Sequence, residues 1–130
     1  MNYIDLLEKA KNASKKAYCP YSKFNVGACV LYENDNEYLG CNVENVSYGL
    51  TLCAERNAIS TAVAQGEQSK IKAIAVYSPQ QKKCLPCGAC IQWISEFASG
   101  DETKIILEGE DNQPFILSLK EIFPYSFKFN

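Results

Sequence analysis

Apolar side chains recur at helical spacing through the first part of the chain, with polar side chains between them. The apolar positions are Tyr3, Leu6, Leu7, Ala10, Ala13 and Ala17. Asn2 and Asp5 have the spacing of an N-terminal cap, and Pro20 cannot continue a helix. The pattern therefore predicts an amphipathic helix that runs to about Tyr18.

Shorter apolar segments further along the chain predict β-strands. Residues 24–32 and 37–41 flank the turn-forming sequence Asn34-Asp35-Asn36, so together they predict a hairpin. Residues 71–77 form a continuous apolar run, which is typical of a strand buried on both faces. Two more short strands are predicted at residues 104–107 and 114–117.

Three further segments predict helices. Residues 53–65 have helical spacing and stop at Gly66, a residue that favours a left-handed helix cap. Another helix is expected further along the chain, at residues 88–98. Ser118 and Glu121 have the spacing of a capping box for a short final helix. The positions expected to be buried in the helix at 53–65 are Ala54, Ala58, Ala62 and Val63.

Composition and charge limit the function classes. A chain of 130 residues with 47% hydrophobic content can form a single domain, residues 1–130, with a buried core. The formal net charge of −2 gives no attraction to phosphate backbones, so nucleic acid is not an expected partner. The chain shows no long apolar run and no signal segment, which predicts a soluble cytoplasmic protein without membrane contact. The densest basic stretch, on the solvated side of the first helix, contains Lys9, Lys11, Lys15 and Lys16.

Two short motifs contain the candidate chemistry. They are Cys53-Ala54-Glu55 and Pro86-Cys87-Gly88-Ala89-Cys90. A catalytic zinc ion needs three protein ligands and one position open to water, and three cysteines with a nearby carboxylate meet that need. Both motifs fall at predicted helix N-termini, where backbone N–H groups favour thiolate over thiol. The predicted zinc ligands are therefore Cys53, Cys87 and Cys90, with Glu55 as the proton carrier, a pattern typical of zinc deaminases.

Three other interpretations of the cysteines compete with the zinc site. A disulfide scaffold is disfavoured because the number of cysteines is odd. A redox C-x-x-C pair would leave Cys53 and Glu55 without a role. A closed four-cysteine zinc site would add Cys84, at the cost of distorting the turn before the helix. Three cysteines without ligand spacing are expected to be small buried hydrophobes: Cys19, Cys29 and Cys41.

Arg56 follows the first motif directly. Three thiolates around a divalent zinc leave a net negative cluster, which holds back ionisation of a bound water. An arginine that donates hydrogen bonds to the sulfurs would withdraw charge, so Arg56 is a candidate compensator, with a surface arginine as the alternative. The strand at residues 71–77, which lies between the two motifs, is expected to bring both helix N-termini side by side through a right-handed crossover.

Several segments spread over the chain resemble one known family, the small cytidine deaminases of pyrimidine salvage. The segments are Tyr18-Cys19-Pro20-Tyr21-Ser22-Lys23-Phe24, Val26-Gly27-Ala28, Gly40-Cys41-Asn42-Val43-Glu44-Asn45, Cys53-Ala54-Glu55-Arg56 and Pro86-Cys87-Gly88-Ala89-Cys90. The resemblance implies a three-layer α/β/α sandwich with a central mixed β-sheet, one Zn²⁺ per subunit, and hydrolysis of cytidine and 2′-deoxycytidine to the uridines and ammonia.

The resemblance also implies how the substrate is held. Asn42 and Glu44 are expected to bind the ribose, chiefly its 3′-hydroxyl, with Phe24 packed near the nucleoside. The base is expected to be read by the backbone N–H at Ala54, by Glu55, and by the backbone carbonyl at Leu85. A homotetramer is implied as well, in which Phe127 reaches a neighbouring subunit's site.

Two positions depart from the family pattern. Leu85 stands where a small or hydroxylated residue is usual, and Ile91 stands where an arginine is often found. A main-chain contact tolerates the first change; the second affects local surface or subunit contacts. Two rival functions stay open: deamination of another aminopyrimidine nucleoside such as blasticidin S, and a non-catalytic zinc or redox module.

Overall fold

A computed structural model describes residues 2–129 of the chain as one α/β unit. The helices are α1 (Tyr3–Ser14), α2 (Ala54–Ala64), α3 (Gly88–Phe97) and α4 (Leu119–Ile122). The strands are β1 (Gly27–Tyr32), β2 (Glu37–Cys41), β3 (Ile71–Tyr77), β4 (Lys104–Glu108) and β5 (Pro114–Ser118), and a single 3₁₀ turn covers Tyr48–Leu50. No helix in the described part of the chain is long and apolar enough to cross a bilayer.

The five strands form one mixed sheet in the order β2-β1-β3-β4-β5. β3 and β4 are parallel, and the other neighbouring pairs are antiparallel. The parallel pair requires a crossover connection, and α3 supplies it. This connection puts the N-terminus of α3 at the carboxyl end of β3.

Two apolar clusters lie on opposite faces of the sheet. One face packs against α1, through Leu6, Leu7 and Ala10 of the helix. The other face packs against α2 and α3, through residues that include Ala58, Ile59 and Ile94. Alternate residues of β1 and β3 enter the two clusters, which is why both strands read as continuous apolar runs. The predicted three-layer α/β/α sandwich with a mixed sheet is confirmed.

The first helix is shorter than predicted. Asn2 caps it through a 3.1 Å bond from the Asp5 backbone N–H, as expected, but α1 ends at Ser14 and not near Tyr18. Tyr18 instead forms a bridge with the segment after β2: its N–H donates to the Asn42 carbonyl and its carbonyl accepts from the Glu44 N–H. These pairings outcompete one more turn of helix.

Three smaller predictions also differ from the structure. β1 begins at Gly27 and not at residue 24, because the backbone of residues 24–26 bonds to the Asn42 side chain. Val63 is exposed, and Ile59 occupies the core position on α2 instead. Cys19 and Cys29 are buried as expected, but Cys41 is only half-buried. All seven cysteines are free thiols.

Gly40 on β2 lets the sheet approach α2 closely. A Cβ atom at this position would lie 2.4 Å from the Ala54 carbonyl oxygen and 2.4 Å from the Ala58 nitrogen. Both contacts are with backbone, which cannot rotate aside as a side chain can. The first turn of α2, which contains the Cys53 motif, therefore rests directly on the edge strand.

We predict that Gly40→Ala destabilises the protein. Overpacking of this kind costs typically about 1–3 kcal/mol of unfolding free energy, because α2 must move away from β2. Denaturant unfolding measures the cost. Gly100→Ala is the matched control, since a Cβ at Gly100 meets no atom within 4 Å. Equal stability of Gly40→Ala and Gly100→Ala would contradict this close packing.

Candidate active site

The three cysteines of the two motifs lie at two adjacent helix N-termini. Cys53 is the N-cap residue of α2 and Cys87 is the N-cap residue of α3, while Cys90 lies in the first turn of α3. Neither N-cap side chain makes a capping hydrogen bond, so both sulfurs remain available as ligands. The unpaired backbone N–H groups of both helices favour negative charge at this point.

The sulfur positions fit a zinc ion. The Sγ atoms of Cys53, Cys87 and Cys90 all lie within 4.8 Å of one another, and the Cys53 and Cys87 sulfurs are 3.8 Å apart. With zinc–sulfur distances of about 2.3 Å, tetrahedral geometry sets two sulfurs about 3.8 Å apart. The cluster therefore has the spacing of a tetrahedral site with a fourth position left for water.

Cys84 is not part of this sulfur cluster. It is buried near Glu55, and burial raises the pKa of its thiol to about 11, so it stays neutral. Among the described residues, the sulfurs close enough to share a metal ion are those of Cys53, Cys87 and Cys90, so the closed four-cysteine zinc site considered from the sequence is not what the fold assembles. Cys84 contributes a neutral apolar wall to a cleft that also contains Cys53, Glu55 and Cys87.

Arg56 contacts the cluster and is not a surface arginine. Its guanidinium donates to the Cys53 Sγ over 3.4 Å. Hydrogen bonds from Cys90 and Arg56 lower the pKa of Cys53 to about 5. The bond that Cys90 donates, together with burial, raises the pKa of Cys90, because two adjacent thiolates repel each other unless a cation lies between them. The cluster is thus built for a cation.

Glu55 lies in the first turn of α2, beside the sulfurs, with 4% of its surface exposed. Burial raises the pKa of its carboxyl to about 7, and the negative charge of Cys53 acts in the same direction. A carboxyl group that titrates near neutral pH can both accept and release a proton during a reaction.

A cleft of about 550 Å³ opens above the cluster. Its lining contains the predicted ligands Cys53 and Cys87, whereas Cys90 is buried. The volume is in the range typical of small-molecule sites. All but one of the predicted substrate-contact positions line the same cleft, together with the predicted proton carrier: Phe24, Asn42, Glu44, Ala54, Glu55 and Leu85.

Asn42 and Glu44 are buried side chains of the cleft lining, and they follow the end of β2. Asn42 accepts from the Val26 N–H (2.9 Å) and donates to the Phe24 carbonyl (2.8 Å). Each bond uses part of the amide's capacity and leaves one N–H and one lone pair for a ligand. Asn42 thus fixes the backbone of Phe24 and keeps the means to bind a hydroxyl.

Phe127 lies outside the cleft of its own chain. Its side chain is 74% exposed, and its carbonyl accepts a hydrogen bond from Gln92 on α3. Leu85 lines the cleft and is exposed, and Ile91, which lies on α3, packs against the apolar cluster that α2 and α3 cover.

Several residues that line the cleft are not among the predicted site residues: Ser22, Val26, Tyr48, Thr51 and Cys84. Ser22 and Val26 each lie two residues from Phe24, in two of the segments that carry the family resemblance, so their distance from Phe24 in the sequence is a signal for both. The Tyr48 and Thr51 positions follow from a loop conformation that no periodicity encodes.

Comparisons with known proteins agree with this geometry. Residues 2–107 match the family described as the cytidine and deoxycytidylate deaminase zinc-binding region. A cytidine deaminase of Sporosarcina psychrophila is 47% identical over 100 residues, which are 77% of this chain and 73% of that protein. One from Halalkalibacterium halodurans is 38% identical over 122 residues, 94% of this chain and 91% of that protein.

Solved structures show the same fold. The crystal structure of the Burkholderia pseudomallei cytidine deaminase superposes with a TM-score of 0.88 at 38% identity, covering 98% of this chain and 100% of the other. The Mycobacterium tuberculosis cytidine deaminase gives a TM-score of 0.85 at 35% identity, covering 99% of each chain. With its sulfur cluster, its buried glutamate and these matches, the chain belongs to the cytidine and deoxycytidylate deaminase family of zinc enzymes.

Proposed function

We propose that this protein hydrolyses cytidine and 2′-deoxycytidine to uridine and 2′-deoxyuridine with release of ammonia. The observation that carries the proposal is the arrangement of one cleft: a three-sulfur cation site and a protonatable buried Glu55 share it with the polar pair Asn42 and Glu44. The relatives named as cytidine deaminases support the same substrate class.

Each group has a role in this reaction. Cys53, Cys87 and Cys90 would hold a zinc ion, which when bound would act as a Lewis acid and make a water reactive towards C4 of the base. Glu55 takes one proton from that water and delivers it to N3, and it then moves the second proton of the water to the departing amino group. The carbon–nitrogen bond to the amino group breaks, the water oxygen becomes the O4 of uridine, and ammonia leaves.

The polar end of the cleft fits a nucleoside. Glu44 accepts a hydrogen bond from a ribose hydroxyl, chiefly the 3′-hydroxyl, and Asn42 adds a second contact to the sugar. Phe24 packs beside the nucleoside, and the Ala54 N–H and the Leu85 carbonyl bind the base. The contact from Leu85 uses main-chain atoms alone, so its side chain does not affect that contact. An unmodified ribose suits these groups better than the altered sugar of blasticidin S.

The proposal also covers the oligomeric state of the protein and its location in the cell. Exposed apolar residues cluster between the sugar-binding segment and the metal motif: Val46, Tyr48, Leu50 and Leu52. Such a patch beside a cleft is typical of a subunit interface. We therefore expect a homotetramer in which Phe127 reaches a neighbouring site, and a cytoplasmic role in pyrimidine salvage.

Glu55→Ala is predicted to retain the fold and the zinc while losing turnover. General acid–base catalysis is typically worth about 10²–10⁴ in rate, and one group that serves several proton transfers should lie at the upper end. Ammonia release from cytidine, with zinc content measured in parallel, tests this. The control is Glu8→Ala, on the exposed side of α1. More than a tenth of wild-type activity in Glu55→Ala would remove Glu55 from the mechanism.

Arg56→Gln is predicted to weaken zinc retention and catalysis without unfolding the protein. The guanidinium withdraws charge from Cys53, and losing such a neighbour of a metal ligand typically costs about 10–100-fold in affinity or activity. Resistance to a chelator and steady-state kinetics measure both effects. The exposed Lys120→Gln serves as the charge-matched control. If Arg56→Gln and Lys120→Gln behave alike, Arg56 has no role at the metal.

The wild-type enzyme is predicted to act on free nucleosides and to reject polynucleotides and 3′-phosphorylated substrates. A phosphate on the 3′ oxygen removes the donor that Glu44 needs and presses two negative groups together. The acidic chain also offers no basic track for a strand. Comparable ammonia release from cytosine in single-stranded DNA or RNA would overturn the nucleoside assignment.

Glu44→Gln is predicted to lower activity on cytidine by about 10–100-fold, the usual value of a hydrogen bond to a charged group. The ratio of activity on cytidine to activity on the free base cytosine should fall, because the lost contact is with the sugar. Glu8→Gln is the control. An unchanged ratio of cytidine to cytosine activity would contradict the role of Glu44.

A further inference from the structure

The Glu44 carboxylate is held by one short segment of chain. Its Oε1 accepts from the backbone N–H groups of Tyr21 (3.1 Å) and Ser22 (3.2 Å). Its Oε2 accepts from the Ser22 hydroxyl over 2.5 Å. The two oxygens of a carboxylate have about four acceptor sites, so these three bonds leave one site, on Oε2, for a ligand.

Ser22 bonds in two directions. Its Oγ donates to Glu44 and also accepts from the Phe24 N–H over 3.0 Å. The hydroxyl therefore connects the carboxylate at one wall of the cleft to the aromatic residue at another. Ser22 itself lines the cleft and is exposed to solvent.

The electrostatics agree with this geometry. The Ser22 hydroxyl is the largest cause that lowers the pKa of Glu44, ahead of the backbone N–H groups of Ser22 and Tyr21. These bonds keep the carboxylate ionised as an acceptor. Without the hydroxyl, Oε1 would still be anchored, but Oε2 would lose its only protein donor in the described residues.

We propose that Ser22 is the positioning residue that sets the selectivity of this site for the 3′-hydroxyl of the sugar. It orients Oε2 of Glu44 so that the remaining acceptor site faces the ligand. This inference rests on the proposed function, since it concerns how that site recognises a nucleoside.

The test compares Ser22→Ala with wild type on two substrates, cytidine and 3′-deoxycytidine. Loss of a hydrogen bond to a charged group predicts about a tenfold fall in kcat/KM for cytidine, mainly through KM. 3′-Deoxycytidine has no hydroxyl for Glu44, so its kcat/KM should change less than about twofold, since the lost bond serves that hydroxyl. Ser22→Thr retains the hydroxyl and should restore cytidine activity. Ser60→Ala is the matched control, since Ser60 is exposed and its hydroxyl donates to the Asn57 carbonyl within α2.

A role limited to loop stability would give a different result. It would lower activity on both nucleosides alike and leave the preference for the 3′-hydroxyl unchanged, and that outcome would overturn the proposal. The losses from Ser22→Ala and Glu44→Gln should also fail to add, because the two residues act on one contact. Full additivity would count against the proposal. If Ser22→Ala does not fold, Ser22→Cys provides the same comparison with a weaker donor.

Binding separates this proposal from the proposed function. The dissociation constants of uridine and 3′-deoxyuridine need no turnover. Suppose that wild type binds uridine more tightly than 3′-deoxyuridine, and that Ser22→Ala binds the two with equal affinity. The positioning role of Ser22 then stands even where no ammonia is released. If wild type deaminates cytidine but Ser22→Ala retains the full preference in both assays, the function stands and the role of Ser22 is wrong.

Discussion

The meeting of two helix N-termini is the constraint on which this site depends. Cys53 belongs to α2, whereas Cys87 and Cys90 belong to α3, and the sulfurs must come within a few ångströms to hold one cation. Like charges oppose that approach. The N–H groups of both helices and the Arg56 guanidinium offset the repulsion, and the sheet beneath holds the helices in place.

Much of the fold follows from local pattern. The continuous apolar run of β3 predicted a strand covered on both faces, and it lies in the middle of the sheet. The Gly66 left-handed cap (φ 89°) and the capping box of Ser118 and Glu121 also appear where expected. These signals are strong because each is decided by steric or hydrogen-bonding needs within a few residues.

Other features needed tertiary information. The helical pattern of the first segment continues past Ser14, but pairing of Tyr18 with the chain after β2 ends the helix, and that partner is remote in sequence. The metal motifs could be predicted from the sequence because the spacing of their residues is local. The role proposed for Ser22 could not be predicted, because it arises from bonds to Glu44 that only the folded loop creates.

The close contact at Gly40 links two sides of the cleft. β2 approaches the start of α2 backbone to backbone, and the chain directly after β2 contains Asn42 and then Glu44. The segment that contains Glu44 and the helix turn that contains Glu55 are therefore held together next to Gly40. A side chain at position 40 would push these two backbones apart, so the separation of the two glutamates across the cleft depends on the absence of a single Cβ atom.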